Sequence, residues 1–136
     1  MSTSARSRFE AAAVGVLATV NDDGSPHLVP ITFALAGNVL VTGVDHKPKR
    51  TAALKRLANI RHNPQVSVLV QHYEPNWSRL WWARVDGTAT IIEPEHHRHG
   101  AAAELLANRY PQYRDRPIGG SIIEIDVHNW TEWSAS

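Results

Sequence analysis

The segment from residue 14 to 42 constrains the fold more than any other part of this chain. Val14-Gly15-Val16-Leu17-Ala18-Thr19-Val20 has strand composition, and Asn21-Asp22-Asp23-Gly24-Ser25 follows it with turn chemistry. Asp-Gly between two apolar runs is a strong hairpin signal, because both residues tolerate the positive φ that tight turns demand. A return strand is predicted over residues 27–35. Ala36-Gly37-Asn38 then turns the chain into a third strand over 39–42. Turns this short join antiparallel neighbours, so the expectation is a three-strand meander. Pro30 lacks a ladder donor, which predicts an edge position, a bulge or an opening there.

The remainder alternates helix and strand. A short helix is predicted over 4–13, with Ser4 as N-cap, and another over 51–60, stopped by Asn63-Pro64. Strands are predicted over 65–73, 79–92 and 121–127, with Asp86-Gly87 as a bulge or kink in the second. A further helix is predicted over 94–108. The sum is a mainly β chain with flanking helices, a six-stranded antiparallel barrel in one domain, 1–136.

Fourteen basic and thirteen acidic side chains leave a formal charge of +1 on 136 residues. No global field draws such a chain to nucleic acid or to an anionic membrane, so any anion must be recognised locally. The absence of cysteine excludes disulfides, thiolate catalysis and zinc–sulfur sites, and it fits a cytoplasmic protein. The longest apolar run, 11–20, falls far short of the ~20 residues a spanning helix needs. It passes directly into Asn-Asp-Asp-Gly, which reads as strand and turn rather than as a signal peptide.

A local anion site is visible in Asp45-His46-Lys47-Pro48-Lys49-Arg50-Thr51, between a predicted strand and a predicted helix. A helix start presents free N–H groups and the positive dipole end, which suits a phosphate. Arg50 adds a planar fork, Lys47 and Lys49 add point charges, and Thr42 and Thr51 add hydroxyls on either side. A solvated charged loop is the competing reading, and the position between strand and helix weighs against it.

Trp81 and Trp82 are adjacent on a predicted strand and so face opposite sides. One is expected to fill the barrel, and the other to cover a subunit interface or stack on a planar ligand. His96, His97 and His99 do not share the i, i+4 spacing of a metal pair and are expected on a solvated helix face. His27 and His72, on strands, are better pocket candidates. No nucleophile–base arrangement, glycine-rich phosphate motif, metal signature or carboxylate pair emerges from the spacing, so no catalytic side chain is assigned.

The hairpin Leu17-Ala18-Thr19-Val20-Asn21-Asp22-Asp23-Gly24-Ser25-Pro26-His27, the strand Val29-Pro30-Ile31-Thr32-Phe33 and the joint Lys47-Pro48-Lys49-Arg50 resemble the FMN-binding split β-barrel superfamily, the pyridoxamine 5′-phosphate oxidase-like fold. More narrowly, Asp45-His46-Lys47-Pro48-Lys49-Arg50 and Trp77-Ser78-Arg79-Leu80-Trp81-Trp82 resemble an actinobacterial branch of coenzyme F-420 (deazaflavin)-dependent enzymes. The likeness runs from residue 13 to 133. It implies a six-stranded split barrel that forms a homodimer with cofactor sites at the interface. It implies that Lys49 and Arg50 hold the cofactor phosphate with Lys47 close by. Pro30, Ile31, Thr32 and Phe33 would line the tricyclic ring, and Val41 and Thr42 would flank the linker. Gln71 would add a ring contact, and Trp77 and Arg79 would reach the partner subunit's site. Lys47 or Lys55 would attract the oligoglutamate tail of F-420.

The implied activity is hydride transfer from reduced F-420 to an unsaturated organic substrate, which needs few catalytic side chains because the cofactor carries the hydride. The alternatives are an FMN-dependent oxidoreductase of the same fold, a non-catalytic flavin or deazaflavin carrier, and a haem-binding split barrel suggested by the histidine count. For a pyridoxamine phosphate oxidase itself the chain is short, and that enzyme's substrate-phosphate residues find no match.

Overall fold

A computed structural model describes residues 4–44 and 50–136, and only the backbone of residues 50–54. In chain order the elements are α1 (Ala5–Ala11), β1 (Gly15–Val20), β2 (Pro26–Ile31), β3 (Ala34–Ala36), β4 (Val39–Gly43), α2 (Arg50–His62), β5 (Gln65–His72), β6 (Trp81–Ile92), α3 (His99–Arg109), α4 (Gln112–Asp115) and β7 (Ile122–Ser134). A single 3-10 turn, Trp77–Arg79, precedes β6.

All seven strands form one antiparallel sheet in the order β2-β1-β5-β6-β7-β4-β3. Its two edges, β2 and β3, are separated in sequence by only Thr32 and Phe33. A sheet whose outer edges are joined by two residues must curl until those edges meet, and the result is a barrel split along one seam. The expected single strand over 27–35 is therefore divided, and seven strands replace the predicted six. Nor is the predicted meander contiguous. β2 pairs with β1 from Gly15↔Ile31 to Val20↔Pro26, whereas β3 pairs with β4 from Ala34↔Val41 to Ala36↔Val39. Pro30 sits on an edge strand, where a missing N–H costs no ladder bond.

The hairpin after β1 follows its sequence. Gly24 adopts φ 87°, which a side chain would oppose. The Asp23 carboxylate accepts from the Ser25 hydroxyl at 2.5 Å and the Ser25 N–H at 2.9 Å, and these bonds hold its pKa below the ordinary value.

Inward residues of alternate strand positions, among them Leu17, Leu40, Val68, Val85 and Ile125, make the main core. Helix α1, capped by the Ser4 hydroxyl on the Ser7 N–H at 3.2 Å, adds Phe9. That ring is fully buried, edge-on to Phe33 at 5.5 Å and to Trp130 at 5.8 Å. Helix α2 adds Leu57 and Ile60 to the same core. Helix α3 covers the opposite face of β3 and β4, where Ala34, Val41, Ile92, Leu106, Ile118 and Ile122 form a second cluster.

Three further expectations need correction. The helix predicted from Pro94 begins only at His99, because a turn closed by the His96 N–H on the Glu93 carbonyl at 2.9 Å occupies the intervening residues. His99 is consequently not on a solvated face: it is buried, with Nε2 2.7 Å from the Gly120 carbonyl. β7 runs past Val127 to Ser134, since β6 offers it a partner along its length, from Ile92↔Ile122 to Trp81↔Ser134.

The bulge expected at Asp86-Gly87 is present as a register shift against β7. A Cβ at Gly87 would strike the Asp126 carbonyl oxygen and approach Ile125 Cγ2 to 2.9 Å. Gly87→Ala should therefore cost about 2–3 kcal/mol, in the range of overpacked sites. Urea unfolding checks this, and an unchanged midpoint would show that the bulge gives way freely.

Candidate functional site

Where the ladder stops at Thr32 and Phe33, their polar backbone groups must find other partners. The Thr42 hydroxyl donates to the Thr32 carbonyl at 2.7 Å. The Phe33 N–H donates to the Tyr110 hydroxyl at 3.1 Å, and the Phe33 carbonyl accepts from Tyr110 at 2.9 Å and from Arg109 Nη1 at 2.9 Å. The Thr32 hydroxyl is bonded to that of Tyr113 at 2.8 Å. The seam is thus held by the end of α3 and by α4. Sequence reasoning passed over Arg109, Tyr110 and Tyr113, since Asn108-Arg109-Tyr110-Pro111 is indistinguishable from an ordinary helix terminus.

The predicted ring-lining residues differ in what they present. Pro30 is exposed, Thr32 is half-buried, and Ile31 and Phe33 point their side chains into the core. Val41 is buried beneath α3, and Thr42 is buried with its proton committed to Thr32. Thr42 therefore ties the seam to the end of β4 and has no proton to offer a phosphate. Lys47 and Lys49 lie outside the described residues, and Arg50 opens α2.

Gln71 is exposed near the end of β5. Trp77 is 76% exposed on the 3-10 turn, and Arg79 extends into solvent with Nε 3.7 Å from Glu74. No described contact joins either one to the seam. His72 bonds Glu74 through Nε2 at 2.6 Å and stacks on Trp81, while the Nδ1 of His27 is buried without a partner among the described residues.

Trp81 and Trp82 separate as their alternation requires. Trp81 packs against the core with the Arg8 guanidinium 4.7 Å from its ring centroid, and Trp82 lies on the outer face opposite Trp133. That outer face carries a row of apolar side chains across three strands. Leu28 pairs with Ala18, and Pro30 and Leu69 flank Val16. Leu28 is 63% exposed and Trp133 42%.

A small antiparallel barrel opened at a two-residue seam, with helices packed outside it, defines the FMN-binding split-barrel class. The family model described as pyridoxamine 5′-phosphate oxidase matches residues 1–134, and the chain belongs to that family. No curated protein matches it in sequence. Among solved structures it is similar to a conserved hypothetical protein of Mycobacterium tuberculosis, with TM-score 0.75, 20% identity, and 99% of this chain and 86% of that one covered. An FAD-binding protein of Mesorhizobium loti aligns with TM-score 0.73 and 21% identity over 94% of this chain and 90% of that one. The haem storage protein of Vibrio cholerae aligns with TM-score 0.72 and 16% identity over 95% and 90%. At these identities the likeness is one of fold. No helix among the described residues is long and apolar enough to cross a membrane.

Proposed function

We propose that this protein is a homodimeric oxidoreductase that binds reduced coenzyme F-420 and passes its hydride to an unsaturated organic substrate. The observation that carries the reading is the Thr42–Thr32 bond at 2.7 Å, which ties the seam to the strand that leads into the basic joint. One end of a planar ring and its phosphate then fall on one continuous piece of chain. Lys49 and Arg50, with Lys47 beside them, neutralise the phosphate. Pro30, Ile31, Thr32 and Phe33 form the wall for the ring, with the core-facing Ile31 and Phe33 acting through the shape they give the seam, and Val41 and Thr42 hold that wall in place. The donor set suits the group, since the sequence supplies cations for a phosphate and the seam supplies hydroxyls for the ring. When bound and reduced, such a ring supplies the hydride, and the chain's part is to orient it and exclude water.

The outer row of Leu28, Pro30, Val16, Ala18 and Leu69 is the surface assigned to a second copy, because a contiguous apolar row, exposed at Leu28 and Pro30 and half-buried at Val16, Ala18 and Leu69, marks an interface. In that dimer Gln71 adds a ring contact, and Trp77 and Arg79, both exposed on the 3-10 turn, complete the partner's site. Leu28→Asp is expected to move the solution mass from a dimer to one chain of 15.1 kDa, read by light scattering. A dimer that survives the substitution would remove this face from the assignment.

Titration with F-420 and FMN, followed by turnover of the reduced cofactor on a panel of conjugated substrates, tests the whole reading. Tight FMN binding without affinity for F-420 would replace it with an FMN enzyme of the same fold. Binding without turnover would leave a carrier. A Soret band on haem addition, lost with His27→Ala or His72→Ala, would indicate the haem-binding alternative that the fold of the Vibrio cholerae protein also accommodates.

A further inference from the structure

We propose that Tyr113, acting with Thr32, is a further ligand-contacting residue. In this assignment the pair donates a hydrogen bond to the carbonyl edge of the bound ring. The proposal rests on the reading above and adds to it a residue from α4.

The argument is a count of protons. The Thr32 and Tyr113 hydroxyls lie 2.8 Å apart, and either can be the donor. Each carries one proton and the bond between them uses one, so one remains in both arrangements. The neighbouring polar groups of the seam have no such surplus. The Thr32 carbonyl is taken by Thr42, the Phe33 N–H by Tyr110, and the Phe33 carbonyl by Tyr110 and Arg109 together. The Tyr110 proton lies between the carbonyls of Phe33 at 2.9 Å and Ala13 at 3.0 Å. Among the hydroxyls of the seam, the one that keeps a proton for a ligand is therefore in the Thr32–Tyr113 pair.

The donor is also held in place. Arg114, next to Tyr113 on α4, bonds the Ala107 carbonyl at 3.0 Å and the Asn108 carbonyl at 3.2 Å, so α4 is clamped to the end of α3. The Tyr113 ring meets the Tyr110 ring edge-on at 5.8 Å. A part-buried, fixed hydroxyl pays little ordering entropy on binding and has lost part of its water. The chemistry it recognises is a planar acceptor edge, such as the pyrimidinedione carbonyls that FMN and F-420 share.

Tyr113→Phe keeps the ring and removes the hydroxyl, and Thr32→Val does the same from the other side, while Thr32→Ser retains it. FMN and F-420 are titrated separately into the full-length protein and each variant, with affinity and the absorption bands of the bound ring as readouts. Loss of one neutral hydrogen bond should weaken binding about tenfold in Tyr113→Phe, and Thr32→Val, which leaves the Tyr113 proton but removes the hydroxyl that orients it, should weaken binding by less. The ring's bands should shift in both, and Thr32→Ser should restore affinity and bands. A merely structural pair would lower the melting temperature but leave the bands in place. Wild-type affinity with unshifted bands in Tyr113→Phe overturns the proposal while leaving the cofactor reading intact. A wild-type protein that binds neither FMN nor F-420 overturns both, so the two failures are told apart.

Discussion

Arg109→Met is expected to lower folding stability by about 3 kcal/mol, the largest effect of any single polar side chain described here. The guanidinium donates from Nη1 to the Phe33 carbonyl at 2.9 Å, and from Nη2 to the carbonyls of Phe9 and Glu10 at 3.1 Å each and of Ala12. Helix α1 ends at Ala11 and is capped by Ala12, so the Glu10 and Ala12 carbonyls have no partner within the helix, and the Phe9 carbonyl has only a long 3.3 Å bond from the Ala12 N–H; all three lie at the negative end of the helix dipole. One side chain therefore serves the end of α1 and the barrel seam together. It also lies over the Phe33 ring, 4.6 Å from the centroid.

Bonds from a charged donor contribute roughly 1.5–3 kcal/mol each. They are not additive, and the partial exposure of Arg109 lets water replace some of them, which brings the sum down to the value given. Methionine retains the aliphatic packing, so the measured loss reports the polar contacts. Thermal unfolding should show a fall of about 10 °C. Arg109→Lys should fall between, because an ammonium on one carbon cannot reach carbonyls on two elements with a planar fork. A loss below ~1 kcal/mol would mean that water closes the seam as well as the guanidinium does.

The parts of this fold legible in the sequence are those decided locally. Asp23-Gly24 makes a hairpin wherever it is placed, and Ser4 caps whatever helix follows it. The alternation of Trp81 and Trp82 separates them in any strand. The division at Thr32-Phe33 depends instead on what arrives from elsewhere in the chain. Val29-Pro30-Ile31-Thr32-Phe33-Ala34 reads as one strand until Thr42, Arg109 and Tyr110 take over the hydrogen bonds that a ladder would have supplied. Residues 128–134 are largely polar and look like a tail, yet they are strand because β6 provides the partner, a case of tertiary context overriding propensity.

The site follows the same division. The basic joint proposed for the phosphate is a local cluster of cations visible in the sequence, whereas Tyr113 reaches Thr32 across 81 residues and nothing in its neighbourhood marks it. Pro30 had announced an edge, a bulge or an opening. It lies on the edge strand, and the opening comes two residues later, where Phe33 turns into the core.

The double variant Lys49→Ala with Arg50→Ala should lower affinity for the phosphate-bearing cofactor by at least about a hundredfold and leave the melting temperature unchanged. Two charge-assisted bonds to a phosphate contribute roughly 3–6 kcal/mol together, and each 1.4 kcal/mol is about a factor of ten, so the range is about 10²–10⁴. The lower end is expected, because dissolved salt screens the attraction between lysine or arginine and a phosphate. That screening supplies a second measurement. Wild-type affinity should fall as ionic strength rises, and the variant's should barely respond.

Lys55 is exposed on α2, and substituting it distinguishes the proposed phosphate site from the proposed tail site. Lys55→Ala should weaken long-tailed F-420 more than short-tailed and leave FMN untouched, since FMN has no oligoglutamate to attract. Equal losses for both tail lengths would remove Lys55 from the tail. Unchanged affinity in the double variant would do more, because it would detach the phosphate from the basic joint and leave the Thr42–Thr32 bond without a functional consequence.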